Sequence, residues 1–353
     1  MFDSVLSGTI EVGDNVEFFY EDSGTAALKD HADYTTLVFI PGMGFNGSIF
    51  RGLFPHAPQQ NCRIVGLYRR GFAPSSSCSA WNKRDTQEEG LKLEGLQLAK
   101  FLINFASSQS IPKINRERKS GGIILIGWSL GASPLHSLLA YLDKLEDHQL
   151  DTLQKYLYAV VSHDTSTIAH GIPNPIQHKG WSGDCDERFR QFRAWVTGYY
   201  THPDSNSPDI KDHFEYDTPD PNLPASLHDV PEADFNNMTS IDMFAGPDLY
   251  RLLLDPALLQ RLTRWAIFDS TRAQNLPNLK VRYICGKQTP GQLIYAMHKL
   301  EEAMKKDPSQ LFGEGATKAR EAKFTYLEEG NHFFFVDKPE WALEQYMACV
   351  ESN

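Results

Sequence analysis

A glycine-flanked serine at residues 127–131, in the pattern Gly-x-Ser-x-Gly, constrains this chain more than any other feature. It follows a four-residue apolar run at 123–126 and precedes a segment in which leucines recur at helical spacing. This context predicts a sharp turn from a strand into a helix, because glycines two positions before and after the serine leave room for a strained backbone. Such a turn would present the hydroxyl of Ser129 at one edge of a sheet, which makes Ser129 a candidate nucleophile.

Short apolar runs alternate with helical patterns over much of the chain. The runs that we predict to be strands occupy residues 36–40, 63–68, 123–126, 157–162, 279–285 and 323–327. Apolar spacing predicts a helix around residues 91–105 and a closing helix at 339–350. Strands that alternate with helices are typical of an α/β fold, with a mostly parallel central sheet flanked by helices.

The alternation stops between residues 165 and 275, an interval that contains ten of the twenty prolines. We predict an inserted cap, or lid, in this interval, with helices near residues 186–200 and 248–265, over the edge of the sheet where open α/β folds bind ligands. The predicted division is a core at 1–164, a cap at 165–275 and the rest of the core at 276–353. Aromatic side chains of the cap could line an apolar pocket, although aromatics at helical spacing more often pack a helix onto the core. They include Trp181, Phe189, Phe192, Trp195, Tyr199, Phe244 and Trp265.

The charge balance and the cysteines exclude several classes of partner. The 353 residues include 34 basic and 45 acidic ones, and the formal net charge of −11 disfavours binding to nucleic acid or to an anionic membrane. Five cysteines without a Cys-x-x-Cys pair indicate neither a disulfide framework nor a zinc site, so we expect no metal and no cofactor. The sequence shows no secretory leader and no apolar run of membrane length, which favours a cytoplasmic location. The expected partner is a small apolar substrate, and a homodimer is compatible with the sequence.

The order of four turns resembles the α/β-hydrolase fold superfamily, in the cap-bearing branch that includes esterases and lactonases. Residues 41–44 follow the first predicted strand, as the oxyanion-hole turn does in that family, and an Arg-Gly-Phe turn follows at 70–72. The serine turn at 127–131 corresponds to the nucleophile elbow. A Gly-Asn-His turn at 330–332 comes after the last predicted strand, where the family places its histidine. The resemblance covers nearly the whole chain and implies the family's fold.

The resemblance also implies an oxyanion hole. The backbone amides of Met43 and Leu130 would stabilise the negative charge that develops on a carbonyl oxygen under attack. Family members often have His-Gly where this chain has Pro41 and Gly42, but the donor is the amide of the residue that follows. Gly42 and Trp128 are further candidates for substrate binding.

The same resemblance makes His332 the base that activates Ser129, because imidazole titrates near neutral pH. The usual position of the family's acid falls on Thr289, which cannot orient a histidine as an anion would. We favour Asp164, directly after the fourth predicted strand, because some members of the fold place their acid there and its carboxylate could accept the ring proton of His332. Asp164 could instead be a turn or capping residue, and the alternatives are Asp269, the acidic residues of the cap, or a Ser-His dyad without an acid.

Three functions fit these residues. The first is a serine hydrolase that cleaves an ester or lactone of an apolar small molecule through an acyl-enzyme, with carbon–carbon hydrolysis and acyl transfer using the same groups. The second is a cofactor-free oxygenase or lyase in which His332 and its acid deprotonate the substrate while Ser129 binds it. The third is a non-catalytic protein that keeps the pocket for binding alone.

Overall fold

The computed structural model describes residues 5–78, 87–174, 180–207 and 214–351. The strands within these ranges are β1 (Leu6–Glu11), β2 (Glu17–Asp22), β3 (Thr35–Ile40), β4 (Cys62–Leu67), β5 (Ile123–Trp128), β6 (Leu157–His163), β7 (Lys280–Gly286) and β8 (Ala322–Leu327). They form one sheet in the spatial order β1-β2-β4-β3-β5-β6-β7-β8. β2 pairs antiparallel with β1 and with β4, and all other neighbouring strands are parallel. The mostly parallel sheet predicted from the alternation is confirmed.

Each of the six predicted apolar runs coincides with a strand, with ends that differ by at most two residues. Every residue of β3, β4, β5 and β6 is buried, as expected for parallel strands covered on both faces. The antiparallel pair of β1 and β2 was not among the predicted strands. β1 is an edge strand with mostly exposed residues, so its extended conformation depends on pairing with β2 more than on an apolar pattern of its own.

Helices cover both faces of the sheet and fill the long interval between β6 and β7. They are α1 (Gln87–Ser108), α2 (Ala132–Ala140), α3 (Asp147–Tyr156), α4 (Cys185–Val196), α5 (Glu232–Met238), α6 (Ile241–Met243), α7 (Leu249–Arg251), α8 (Pro256–Ile267), α9 (Ser270–Ala273), α10 (Gly291–Lys305), α11 (Ser309–Phe312), α12 (Phe334–Asp337) and α13 (Pro339–Glu351). A long 3₁₀ segment, Gly47–Gln60, follows β3 and packs against α13 on one face. On the other face α2 packs between α1 and α8.

The predicted cap helices form with different bounds. The first is α4, which ends at Val196, four residues before the predicted end. The second is not one helix but two, α7 and α8, because Pro256 lacks the amide hydrogen that a continuous helix needs and instead begins α8. The side chain of Asp255 caps that new helix by accepting a hydrogen bond from the amide of Ala257. Because α8 packs against α2 beside the sheet, the predicted boundary between cap and core near residue 275 stays a prediction.

Parallel strands bring distant parts of the chain to one edge. β3, β5, β6 and β8 run in the same direction, so the turns that follow them meet at their carboxyl ends. Those turns hold Met43, Ser129, Asp164 and His332. Ligands of open α/β sheets bind at this edge.

All five cysteines are free, and Cys62, Cys285 and Cys349 are buried. In the described ranges no cluster of histidine, cysteine, aspartate or glutamate has an arrangement that could hold a metal ion. None of the helices there is both long and apolar enough to cross a membrane.

Candidate active site

The turn after β5 has the strained geometry that its glycines predict. Ser129 has a φ of 55°, in the left-handed region that residues with a side chain rarely adopt. A Cβ atom on Gly127 would lie 2.7 Å from the Cα of Ala132, and one on Gly131 would lie 2.2 Å from the carbonyl oxygen of Ile40. Both distances are impossible for a real Cβ. The two glycines are therefore required, and the close approach at Gly131 places the serine turn directly against the end of β3.

His332 and Asp164 form a buried pair next to this turn. The Nδ1 atom of His332 lies 3.0 Å from the Oδ2 atom of Asp164, and both side chains are almost completely buried. The predicted role of Asp164 as the partner of His332 thus has the geometry it requires. The bond at Nδ1 leaves Nε2 as the ring nitrogen that can take a proton from an alcohol.

The surroundings of Asp164 hold it as an anion. Its Oδ1 atom accepts a hydrogen bond of 3.0 Å from the amide of Gly286, and its Oδ2 atom lies 3.6 Å from Nε2 of His163. Burial alone would raise the pKa of this carboxyl, but the neighbouring His163 and the hydrogen bond with His332 outweigh burial and lower the pKa. Burial lowers the pKa of His163 to about 3, so that ring is neutral. His163 also contacts the hydroxyl of Tyr346 through Nδ1, at 2.9 Å, which agrees with its expected structural role.

Asp269 and Thr289, the alternative acid and the residue at the family's usual acid position, make other contacts. The side chain of Asp269 accepts hydrogen bonds from the amides of Thr271 and Arg272 and so caps α9. Thr289 is fully buried, and its carbonyl oxygen lies 2.8 Å from Nε2 of His202. Its hydroxyl has no hydrogen-bond partner among the described residues. Neither side chain takes the place of Asp164 beside His332.

Trp128 lies beneath the site and is not among the residues that line its cavity, so its contact with a substrate stays a prediction. Its ring is 1% exposed and packs edge-on against Phe45 and Phe333. The indole Nε1 donates a hydrogen bond of 3.0 Å to the carbonyl oxygen of His332. As the last residue of the buried strand β5, Trp128 points into the core, where it fixes the backbone of the histidine turn.

The predicted oxyanion turn lies against the serine. Met43 and Leu130 both line the same cavity as Ser129. A Cβ atom on Gly42 would lie 3.0 Å from the Cβ of Ser129 and 3.3 Å from the ring of Trp128. Gly42 is therefore needed for close packing; it is not among the residues that line the cavity, and its contact with a substrate stays a prediction.

The cavity measures about 230 Å³ and has two sides. Its floor, at the edge of the sheet, consists of Met43, Ser129, Leu130 and His332. Its roof, from the interval between β6 and β7, includes Trp181, Phe192, Trp195, Val196 and Leu252. Its remaining lining residues are Ser166, Ile168, Gly180, Gln292 and Leu293. No charged side chain apart from a protonated His332 could face a ligand from these lining residues.

Three of the seven cap aromatics named from the sequence line the cavity, namely Trp181, Phe192 and Trp195. Others pack behind them, since the rings of Phe189 and Phe244 are 5.0 Å apart and each contacts Phe192. Trp265 packs edge-on against Tyr141 of the core. The sequence could not separate these classes because all of them share the same helical spacing.

Ser129 and His332 line the same cavity. Among the described residues, no hydrogen bond links the Ser129 hydroxyl to the His332 ring. Hydrogen bonds between catalytic groups are often long in the absence of substrate and tighten when it binds. The arrangement can therefore support proton transfer from Ser129 once a ligand excludes water from the cavity.

Arg69 and Asp248 are two site residues that the sequence did not single out. Arg69 lies two residues after the end of β4 and donates a hydrogen bond of 2.8 Å to the carbonyl oxygen of Gly42. Asp248 lies in the interval between β6 and β7 and accepts a hydrogen bond of 2.8 Å from the amide of Gly44. The only sequence signal was a pair of arginines at the end of a predicted strand, and it gave no hint of a partner so far along the chain.

Comparisons with known proteins agree with this architecture. The model of the "Alpha/beta hydrolase family" matches residues 37–345. No curated protein matches the chain. A structure from Burkholderia cenocepacia, provisionally described as an aryl esterase, is similar with 14% identity over 97% of both chains and a TM-score of 0.53.

Two further structures are similar at comparable levels. One concerns carboxylesterases of Nitrososphaera gargenis, with 17% identity over 97% of this chain and 98% of that one and a TM-score of 0.50. The other is a laboratory-evolved variant of a potato epoxide hydrolase, with 13% identity over 98% of both chains and a TM-score of 0.50. At such identities these likenesses show the fold alone, whereas the family model, which spans most of the chain, supports a hydrolytic enzyme. The chain belongs to the α/β-hydrolase family.

Proposed function

We propose that this protein is a serine hydrolase that cleaves an ester or lactone bond of a small apolar molecule. The observation that carries the proposal is the strained turn of Ser129, which opens into the same cavity as His332, itself paired with Asp164 at 3.0 Å. Unreactive serines have no need for a left-handed backbone beside a buried histidine–carboxylate pair, because such strain persists only where the surroundings impose it.

The three side chains have complementary roles in this mechanism. Asp164 accepts the Nδ1 proton of His332, which fixes the tautomer and leaves Nε2 as the base. Nε2 takes the hydroxyl proton as the oxygen of Ser129 attacks the acyl carbon. The imidazolium then protonates the leaving alcohol, and a water molecule, activated in the same way, releases the acyl group.

The amides of Met43 and Leu130 would stabilise the oxygen of the tetrahedral intermediate. Both residues line the cavity beside Ser129, and the amide of Leu130 belongs to a 3₁₀ turn that begins at the serine. Backbone amides are suited to this role because they are fixed before the charge develops.

The size and the lining of the cavity narrow the substrate. At about 230 Å³ it is smaller than the pockets of about 300–1,000 Å³ that hold drug-sized ligands. Most of the lining is aliphatic or aromatic, and the described lining residues include no carboxylate. We therefore expect uncharged esters or lactones with a short acyl portion, such as aryl acetates or butyrates. Ser166 and Gln292 are the polar side chains left to hydrogen-bond the substrate.

A fluorophosphonate probe tests the proposal directly, because only an activated serine becomes covalently labelled. The wild-type protein should be labelled, and Ser129→Ala should not. Ser166→Ala is the matched control, since Ser166 lines the same cavity without the strained turn, so its loss could slow labelling but should not abolish it. An unlabelled wild type, or a Ser129→Ala variant that still reacts, would refute the hydrolase.

One observation favours a second candidate. The ring of His332 is hydrogen-bonded to Asp164, and among the described residues no hydrogen bond links it to Ser129, which suits a base that deprotonates a substrate directly. A cofactor-free oxygenase or lyase would use that base, with Ser129 as a binding group. Oxygen consumption with a hydroxylated heteroaromatic substrate, retained in Ser129→Ala and lost in His332→Ala, would identify it.

A further inference from the structure

A buried ion pair joins the cap region to the core next to the candidate oxyanion turn. Asp248 lies just before α7 and is fully buried. Its two carboxylate oxygens accept hydrogen bonds of 2.7 and 2.8 Å from Arg69, which follows β4 and is 4% exposed. This two-point geometry fixes the orientation of both groups, not only the distance between them.

The same two side chains bind the backbone on both sides of Met43. Arg69 donates a hydrogen bond of 2.8 Å to the carbonyl oxygen of Gly42, and Asp248 accepts one of 2.8 Å from the amide of Gly44. Gly44 has a φ of 76° and the amide of Phe45 contacts the Gly42 carbonyl, so these residues form a tight turn with Met43 inside it. The position of Met43 is thus set by hydrogen bonds to an ion pair in which Arg69 belongs to the core and Asp248 to the cap region.

The backbone of the cap region extends this contact. The amide of Ser240 donates to the carbonyl of Gly44, and the amide of Asn46 donates to the carbonyl of Met238, both at 2.9 Å. Phe45 and Thr239 form a β-bridge between these two hydrogen bonds. The segment from residue 238 to residue 248 is therefore bonded near both of its ends to the backbone of residues 44–46.

We propose that Asp248 and Arg69 are positioning residues for the oxyanion hole, so that docking of segment 238–248 completes the site. The inference rests on the proposed hydrolase function, because it assigns the Met43 amide a task in that reaction. Stabilisation of an oxyanion depends on donor position at the scale of a few tenths of an ångström, and displacement of a reacting group by 1 Å costs about 10²-fold in rate. Loss of the pair should therefore slow catalysis more than it weakens substrate binding.

The chain offers a matched control in a second buried ion pair. Arg251 of α7 pairs with Glu94 of α1, with one hydrogen bond of 2.9 Å between Nη1 and Oε2 and a shorter one between Nη2 and Oε1. Like the pair of Asp248 and Arg69, it joins this part of the interval to the core, but it ends on a helix and not on the oxyanion turn. Glu94→Gln should thus reproduce the structural defect without the catalytic one.

The experiment compares Asp248→Asn and Glu94→Gln in thermal unfolding and in kcat and KM for a short p-nitrophenyl ester. The midpoint of thermal unfolding should be lower in both variants than in the wild type. We expect kcat to fall by about 10²-fold in Asp248→Asn with KM within about threefold of wild type, and to stay within about threefold in Glu94→Gln. Equal losses of kcat in the two variants, or an unchanged kcat in Asp248→Asn, would overturn the proposal.

A variant that keeps the charge serves if Asp248→Asn does not fold. Arg69→Lys retains a cation beside Asp248 but cannot span the carboxylate and the Gly42 carbonyl as a guanidinium does, so kcat should fall in the same direction. If Arg69→Lys had the same kcat and KM as the wild type, the proposal would be refuted.

Amide hydrogen exchange separates this inference from the hydrolase itself. Exchange at Gly44 and Phe45 should accelerate in Asp248→Asn and not in Glu94→Gln, whether or not the protein hydrolyses esters. If the wild type is not labelled by the fluorophosphonate but exchange changes in this way, the proposed function fails while the positioning of the turn stands. Equal exchange in both variants would refute the positioning itself.

Discussion

The floor and the roof of the cavity are built in different ways. The floor consists of backbone turns directly after buried parallel strands, where glycines permit contacts that no other residue would allow. The roof consists of side chains from helices and loops between β6 and β7, held by aromatic packing and by ion pairs to the core. In the proposed hydrolase, the floor would supply the reacting groups and the roof would determine which substrates fit above them. Changes in the floor should therefore alter rate, and changes in the roof should alter selectivity.

The largest effect is expected in the floor, at the acid. Asp164→Asn keeps the size of the side chain but removes the anion that orients His332, so the rate of acylation should fall by about 10³ to 10⁴-fold. The measurement is the rate of fluorophosphonate labelling or of release of p-nitrophenol.

Thr289→Val is the matched control for that variant. Thr289 occupies the usual position of the acid in this family, and its hydroxyl has no hydrogen-bond partner among the described residues, so the rate should be unchanged. A normal rate in Asp164→Asn, or a large loss in Thr289→Val, would show that the acid has been misassigned.

Low pH should lower the stability of the core beneath the cavity floor. Burial lowers the pKa of His136 to about 4 and of His163 to about 3, so both rings are neutral in the folded protein, whereas in the unfolded chain they take up protons below pH of about 6.5. The free energy of unfolding therefore decreases as pH falls below about 6.5. At pH 5 each ring accounts for a loss of about 2 kcal/mol, which is about 30-fold in the unfolding equilibrium. The lowered pKa of Asp164 acts only below pH of about 4, where its carboxylate would begin to protonate in the unfolded chain.

Urea unfolding at pH 7 and pH 5 measures this loss. His136→Phe keeps a ring against His170, 4.7 Å away in the native protein, but cannot titrate. Its stability should fall less between the two pH values, by about 2 kcal/mol. The same pH dependence in the variant and the wild type would show that His136 is not a buried neutral ring.

The smallest effect is expected in the roof. Leu252→Ala enlarges the cavity and should shift the preference from acetate towards longer acyl esters by about 10-fold in relative kcat/KM, the scale of one or two methylene groups in an apolar pocket. The neighbouring Leu253 is 71% exposed and does not line the cavity, so Leu253→Ala should keep the wild-type preference. Identical profiles for the two variants would place the acyl group elsewhere.

The same contrast explains what could be predicted from the sequence. Ser129 and His332 each follow a parallel strand, and the shared direction of these strands brings such turns to one edge, so their proximity was predictable. Asp164 was favoured over Asp269 for the same reason, and the hydrogen bond to His332 adds the geometry that the sequence alone could not give. The antiparallel start of the sheet was missed because β1 is extended only through its partner.

The roof and its anchors depend on contacts between residues that are distant in sequence. Nothing local distinguishes Trp195, which lines the cavity, from Phe189, which packs behind it. Asp248 and Arg69 are 179 positions apart, and neither occurs in a motif that requires the other. The sequence could not show that Trp128 is buried, because a side chain next to a candidate nucleophile can point into the core as readily as towards a ligand.

The left-handed backbone of Ser129 has a consequence for the energetics of the whole chain. A residue with a side chain gives up roughly 1–2 kcal/mol in that conformation, and only glycine avoids the cost. A chain with glycine at position 129 would thus be more stable to unfolding but would lack the hydroxyl group. In the proposed hydrolase, serine at this position lowers the stability of the fold in return for a reactive hydroxyl.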